Sequence, residues 1–180
     1  MFEALFKKKV SEEKIASYFI HTTIDVVDKG FPYVAEVIEN DTSLVIQPDI
    51  VSQKSDKLLL IVLAANMQII PDHFNSYQDR RILQRCYVEL SEIFQVPERK
   101  IQEVISNYQS FLKRANYPSK NTLYAMSKGV FHKYKLNECQ EDYFKNMKTP
   151  NPMLLKRLDE LMAQFIWDWE EYKDKYKIVE

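Results

Sequence analysis

Three histidines and two cysteines are the residues of this chain best suited to metal or nucleophilic chemistry, and their spacing limits what they can do. A di-metal carboxylate bundle places a histidine three residues after a glutamate on an inward helix face. Here Tyr18, Ile70 and Gly129 stand three residues before His21, His73 and His132, so that pattern is absent, as is His-Glu-x-x-His. Asp72 and His73, following Pro71, offer two ligands from a helix end and would need others from distant parts of the chain. Cys86 and Cys139 form no Cys-x-x-Cys pair and are too few for a disulfide framework. Cys86 lies beside the apolar face of its segment and reads as a small buried hydrophobe. Cys139 sits near a run of lysines, an exposed setting of the kind that lowers a thiol pKa. No local signature marks a serine or cysteine nucleophile beside an oriented base. The expectation is no catalytic residue, no metal and no cofactor.

Glycine sharpens the exclusions. The chain has 2 glycines, where average usage would give roughly 12. Gly30 and Gly129 are far apart in sequence, so neither the two-glycine P-loop nor the three-glycine Rossmann fingerprint can form, and the nucleophile elbow of α/β hydrolases fails for the same reason. Tight hairpins also lean on glycine for positive φ. Helices joined by polar turns need it least.

Charge supplies the one constellation that resembles a binding surface. The chain as a whole has a formal charge of −1 and is no general polyanion binder. Residues 111–148, however, hold eight basic residues against Glu138, Glu141 and Asp142, a net of +5. Lys113, Arg114, Lys120, Lys128, Lys133 and Lys135 alternate there with rings that include Tyr124 and Tyr134, the mixture of cations and stacking platforms used by single-stranded nucleic-acid sites. Lysines on outer helix faces with aromatics on inner ones give the same composition, and that reading carries more weight. Any strand binding is expected to be weak at physiological salt. Arg80, Arg81 and Arg85 form a second, smaller basic cluster.

The elements that must position these groups are helical. Prolines at 32, 48, 71, 97, 118, 150 and 152 divide the chain, and the segments between repeat their apolar residues at three-to-four spacing. A first helix is expected from Ser11 until Gly30 stops it, and a short second one from Phe31 to Glu39. Residues 40–57 lose the pattern and read as a long connection with a small extended piece at Leu44 to Ile46. Lys57 to Ile70 is apolar all round, which fits a buried central helix, with a buried strand at Leu58 to Leu63 as the rival. Leu83, Tyr87, Leu90 and Phe94 mark one face of a helix from about Tyr77 to Phe94. Further helices are expected from Pro97 to about Ala115, from Lys120 to Leu136, and from Glu138 to Met147. After Pro152, the stripe Leu154, Leu158, Leu161, Phe165, Trp169, Tyr172 and Tyr176 predicts one long C-terminal helix of about 35 Å, with Trp169 on the stripe and Trp167 off it.

The fold class that follows is all-α: one domain over 1–180, an irregular bundle of seven or eight helices. Residues 1–10 form a separate N-terminal segment whose Phe2, Leu5 and Phe6, followed by Lys7 to Lys9, are read as packing on the bundle. As a membrane turn they would be a feeble anchor, and as a short amphipathic segment they suit a partner groove. The longest apolar run, Leu58 to Ala65, falls short of the roughly 20 residues a membrane helix needs, and a cytoplasmic location is expected. The leading functional reading is a non-enzymatic interaction module that binds a protein partner or a second copy. Nucleic-acid binding through 111–148 is the alternative, and an enzyme or metal protein with an unmarked site near His73 is the third.

Overall fold

In the computed structural model, which describes residues 7–179, 73% of the described residues are helical. Among the described residues, seven α-helices reach seven residues or more: α1 (Glu12–Glu39), α2 (Asp56–Gln68), α4 (Gln78–Phe94), α5 (Glu98–Asn116), α6 (Thr122–Lys133), α8 (Pro152–Met162) and α9 (Trp169–Lys175). Two shorter ones, α3 (Ile70–His73) and α7 (Asp142–Met147), fill corners. The sheet among the described residues is a two-stranded parallel ribbon of β1 (Lys8–Ser11) and β2 (Tyr176–Val179), with Lys8 opposite Tyr176 and Val10 opposite Ile178. Phe2, Leu5 and Phe6 lie outside the described residues. Lys8 to Val10 of the expected N-terminal segment lie in β1, and Val10 packs against the core, as does its partner Ile178.

Helix α2 is the hub. Every residue from Leu58 to Met67 except the half-buried Leu60 is buried, and the helix packs against α1, α5 and α6. The strand reading of Leu58 to Leu63 is thereby replaced by helix. Its first turn has no side-chain cap from Ser55. The Tyr134 hydroxyl takes that role from 76 residues away, accepting from Leu58 N at 3.2 Å and donating to Lys54 O at 3.2 Å, so an otherwise orphaned helix-terminal N–H is satisfied inside the core.

Three expectations are corrected. Gly30 does not end the first helix, because α1 runs unbroken through Gly30 and Pro32 to Glu39. Pro32 forfeits one backbone hydrogen bond, yet Phe31 just before it and Val34, Ala35 and Ile38 beyond it are all buried and hold the second half in place. The absence of a side chain at Gly30 serves packing: a Cβ there would lie 3.1 Å from Phe165 Cζ. At Gly129 a Cβ would stand 2.6 Å from Leu112 Cδ2, so α6 and α5 need that glycine for their close approach.

The second correction concerns α4. The buried residues are Ile82, Cys86 and Leu90, while Leu83 and Tyr87 are half-buried and Phe94 is 44% exposed. The expected face is turned by about one position, leaving Phe94 at the surface.

The third is the long C-terminal helix, which does not form. Helix α8 tightens into a 3-10 turn at Ala163–Phe165, residues 166–168 are non-helical, and α9 then passes directly into β2. The break is held from both ends. Asn66, fully buried in α2, donates to Phe165 O (2.8 Å) and accepts from Trp167 N (2.8 Å). Asp168 restarts the chain as a helix cap, its Oδ1 accepting from Glu171 N at 3.0 Å. Breaking the helix there lets both Phe165 and Trp169 reach the core.

The connection expected at 40–57 is present over 40–55, with one 3-10 turn at Val51–Gln53. It is tied down at several points. Glu39 Oε1 accepts from Ile50 N (2.6 Å) and Val51 N (3.0 Å), Leu44 makes an isolated antiparallel bridge to Gln140, and Pro48 and Ile50 are buried. The helix expected at 138–147 is divided into a 3-10 turn at Leu136–Cys139 and α7.

Candidate functional site

The expected basic surface is distributed around the α5–α6 hairpin, and its members have different surroundings. Lys113 and Arg114 are exposed near the end of α5, and Lys120 lies in the following loop. Tyr124 is exposed in the first turn of α6. Lys113 and Lys120 flank a cleft of about 470 Å³ that also takes in Asp72 and Asn116. Lys128 and Lys133 are half-buried, and Lys133 Nζ lies 4.2 Å from the Tyr108 ring and 4.6 Å from that of Phe111, a cation–π placement that engages its charge. Lys135 occupies a left-handed backbone position with φ 57° and is exposed. Tyr134 is 3% exposed and bonded to the start of α2. Its assignment to the surface is corrected, because a ring enclosed by core atoms cannot stack on a base.

The candidate chemical groups are engaged in structural roles. His73 Nδ1 lies 2.7 Å from Glu170 Oε1, which also accepts from Lys173, and these contacts, His73 first, hold the Glu170 carboxyl below its usual range. Among the described residues no three His, Cys, Asp or Glu side chains gather as a metal-ligand set. Ser17 and His21 both bind Glu89 Oε1, at 3.2 Å and 2.7 Å. The carboxylate stands between serine and histidine, so the histidine is not positioned to take the serine proton as a triad requires. Burial, and then Lys128, lower the His132 pKa. Cys139 is buried rather than exposed, and burial raises its thiol pKa. Cys86 is raised by burial as well. Neither has the thiolate character of a reactive cysteine. In the arginine cluster, Arg81 forks onto the buried Glu12 at 2.7 and 2.8 Å.

Asp159 on α8 is a carboxyl whose charged form is disfavoured by its setting. Burial raises its pKa, the Ser127 hydroxyl and Lys128 oppose the rise, and Oδ1 is buried without a partner. A carboxyl that binds its proton more tightly folded than unfolded contributes stability below the unfolded pKa, about 3.9, and loses it as pH rises through the folded value. Asp159→Asn is therefore expected to match the parent near pH 3 and to raise the urea midpoint at pH 7. A lower midpoint for the variant at pH 7 would contradict the assignment.

The feature missed by sequence reasoning is an apolar groove of about 500 Å³ between α2, α4 and α5. Its floor is Leu59, Leu63, Leu90 and Ile105, all buried. Its rim is Leu60, Phe94, Val96, Ile101 and Val104, each partly or fully exposed, with Asp56 and Lys100 as the charged residues at its border. Two walls are helical ridges: 56, 59, 60 and 63 on α2, and 101, 104 and 105 on α5. The signal lay in Phe94, whose placement on the inward face of α4 concealed it. Comparison with protein families, curated proteins and solved structures finds no match for this chain.

Proposed function

We propose that the protein is a helical interaction module whose α2–α4–α5 groove receives an amphipathic helix of a protein partner. The observation that carries this reading is a continuous apolar trough bordered by a partly exposed phenylalanine and by residues at i, i+3, i+4 and i+7 spacing on α2. Ridges at that spacing accommodate the ridge of a third helix, and apolar anchors laid into such a trough are a standard way of recognising helices. Asp56 and Lys100 at the border suit an occupant with polar flanks of both signs. No helix among the described residues is long and apolar enough to cross a membrane.

The probe is a labelled, leucine-rich amphipathic peptide helix followed by fluorescence anisotropy. Saturable binding is expected, weakened at least tenfold by Leu60→Lys or Val104→Lys with the circular dichroism melt preserved. Unchanged affinity in both variants would overturn the groove as the site. Concentration-dependent dimerisation abolished by the same substitutions would assign the groove to a second copy instead.

A further inference from the structure

Away from this groove, the two ends of the described chain meet in a cleft of about 470 Å³ built from β1, the start of α1, α9 and β2. Its cations come from three elements: Lys8 and Lys9 from β1, Lys14 from α1 and Lys175 from α9. Lys175 is paired with Glu171, the only acidic residue among the described residues that line the cleft. Lys8, Lys9 and Lys14 are exposed, line this concavity and have no carboxylate partner among the described residues. By contrast, Lys7 is committed to Lys173 O at 2.7 Å.

The same cleft is walled by tyrosines. Tyr18, 53% exposed, lies 5.7 Å from Tyr172, and Tyr172 lies 5.9 Å from Tyr176, measured between ring centroids. Tyr172 is held by a stacked contact with Trp167, 5.1 Å away with 23° between planes, so the wall is fixed by the same C-terminal segment that Asn66 fastens to α2. Rings with exposed area beside unpaired ammonium groups suit a ligand with a flat apolar part and a polyanionic part, and the volume lies within the range of small-molecule sites. We propose that this terminal cleft binds a nucleoside phosphate, its base against Tyr18 and its phosphates on Lys8, Lys9 and Lys14. The pairing of cations with rings that the sequence suggests for 111–148 is thus assembled at the chain ends, from residues distant in sequence.

The test uses the full chain with three probes, fluorescein-labelled oligo-dT, ATP and inorganic pyrophosphate, at low salt. Oligo-dT or ATP is expected to bind and pyrophosphate to bind at least fivefold more weakly than the better of them. If the oligonucleotide is the tighter ligand, the source is a strand, and about three phosphate contacts give a log–log salt slope near −2; if ATP is the tighter, the source is a free nucleotide. Lys14→Glu alone, on an exposed helical position, should weaken binding at least threefold, Lys8→Glu/Lys9→Glu/Lys14→Glu more than tenfold, and Tyr18→Ala about fivefold. The control Lys113→Glu/Lys120→Glu should leave it unchanged. Absence of binding, equal affinity for pyrophosphate, or loss in the control with retention in Lys14→Glu would overturn the proposal. Failure here leaves the groove reading intact, because the two sites share no lining residue.

Discussion

Asn66→Leu is expected to destabilise the protein by about 3–5 kcal/mol, although the replacement is of similar size and sits in the most apolar helix of the fold. The side chain of Asn66 is 0% exposed and makes three hydrogen bonds, donating to Val62 O and Phe165 O and accepting from Trp167 N. Val62 O belongs to the helical ladder of α2. The other two backbone groups lie where the chain has left α-helical geometry, and Asn66 is their partner. Each buried backbone group stripped of its partner costs about 1–3 kcal/mol, and leucine strips both. Asn66→Asp should also destabilise at neutral pH, because it puts a carboxylate against two carbonyl oxygens, and should recover part of the loss in acid where the carboxyl donates. Urea unfolding followed by tryptophan fluorescence measures both. A loss below about 1 kcal/mol for Asn66→Leu would mean that the C-terminal segment is held chiefly by its side chains.

The second large effect is expected at Trp169. Its ring is fully buried against Phe19 (4.9 Å) and Phe74 (5.5 Å), and its Nε1 donates to Asn66 O at 3.3 Å. Truncation to alanine should cost about 3–5 kcal/mol through lost transfer free energy and the cavity left behind. Trp167→Ala should cost clearly less: that ring is half-buried, stacks on Tyr172, and its buried Nε1 has no acceptor to lose. Equal losses at the two positions would contradict the packing described. Trp169 and Asn66 secure the same segment, so their double variant should fall short of additivity.

Much of the architecture was legible because helical periodicity is a local property. The positions of α2, α4, α5 and α6 follow from apolar spacing, and two glycines in the whole chain exclude the glycine-dependent folds. What periodicity cannot show is a helix broken for the sake of tertiary contacts. The stripe from Leu154 to Tyr176 keeps helical spacing across 163–168, and the break depends on Asn66, about a hundred residues earlier in the chain. One local sign was available: Asp168 followed by Glu170 and Glu171 is a helix start. Gly30 and Pro32 misled in the opposite direction, since each carries a breaker's propensity that burial of the flanking residues overrides. The groove and the terminal cleft were illegible for a related reason. Each is lined by elements separated in sequence, and Tyr134, counted by its neighbours as a surface ring, is an interior cap.

The claim that the α2–α4–α5 groove is a helix-binding surface is tested most directly by methyl NMR during titration with the amphipathic peptide. Shifts are predicted to concentrate at Leu60, Leu63, Leu90, Val96, Ile101 and Val104, with the methyls of Val10 and Ile178 in the terminal ribbon unmoved. Shifts centred on the ribbon, scattered over the surface, or absent at saturating peptide would contradict it.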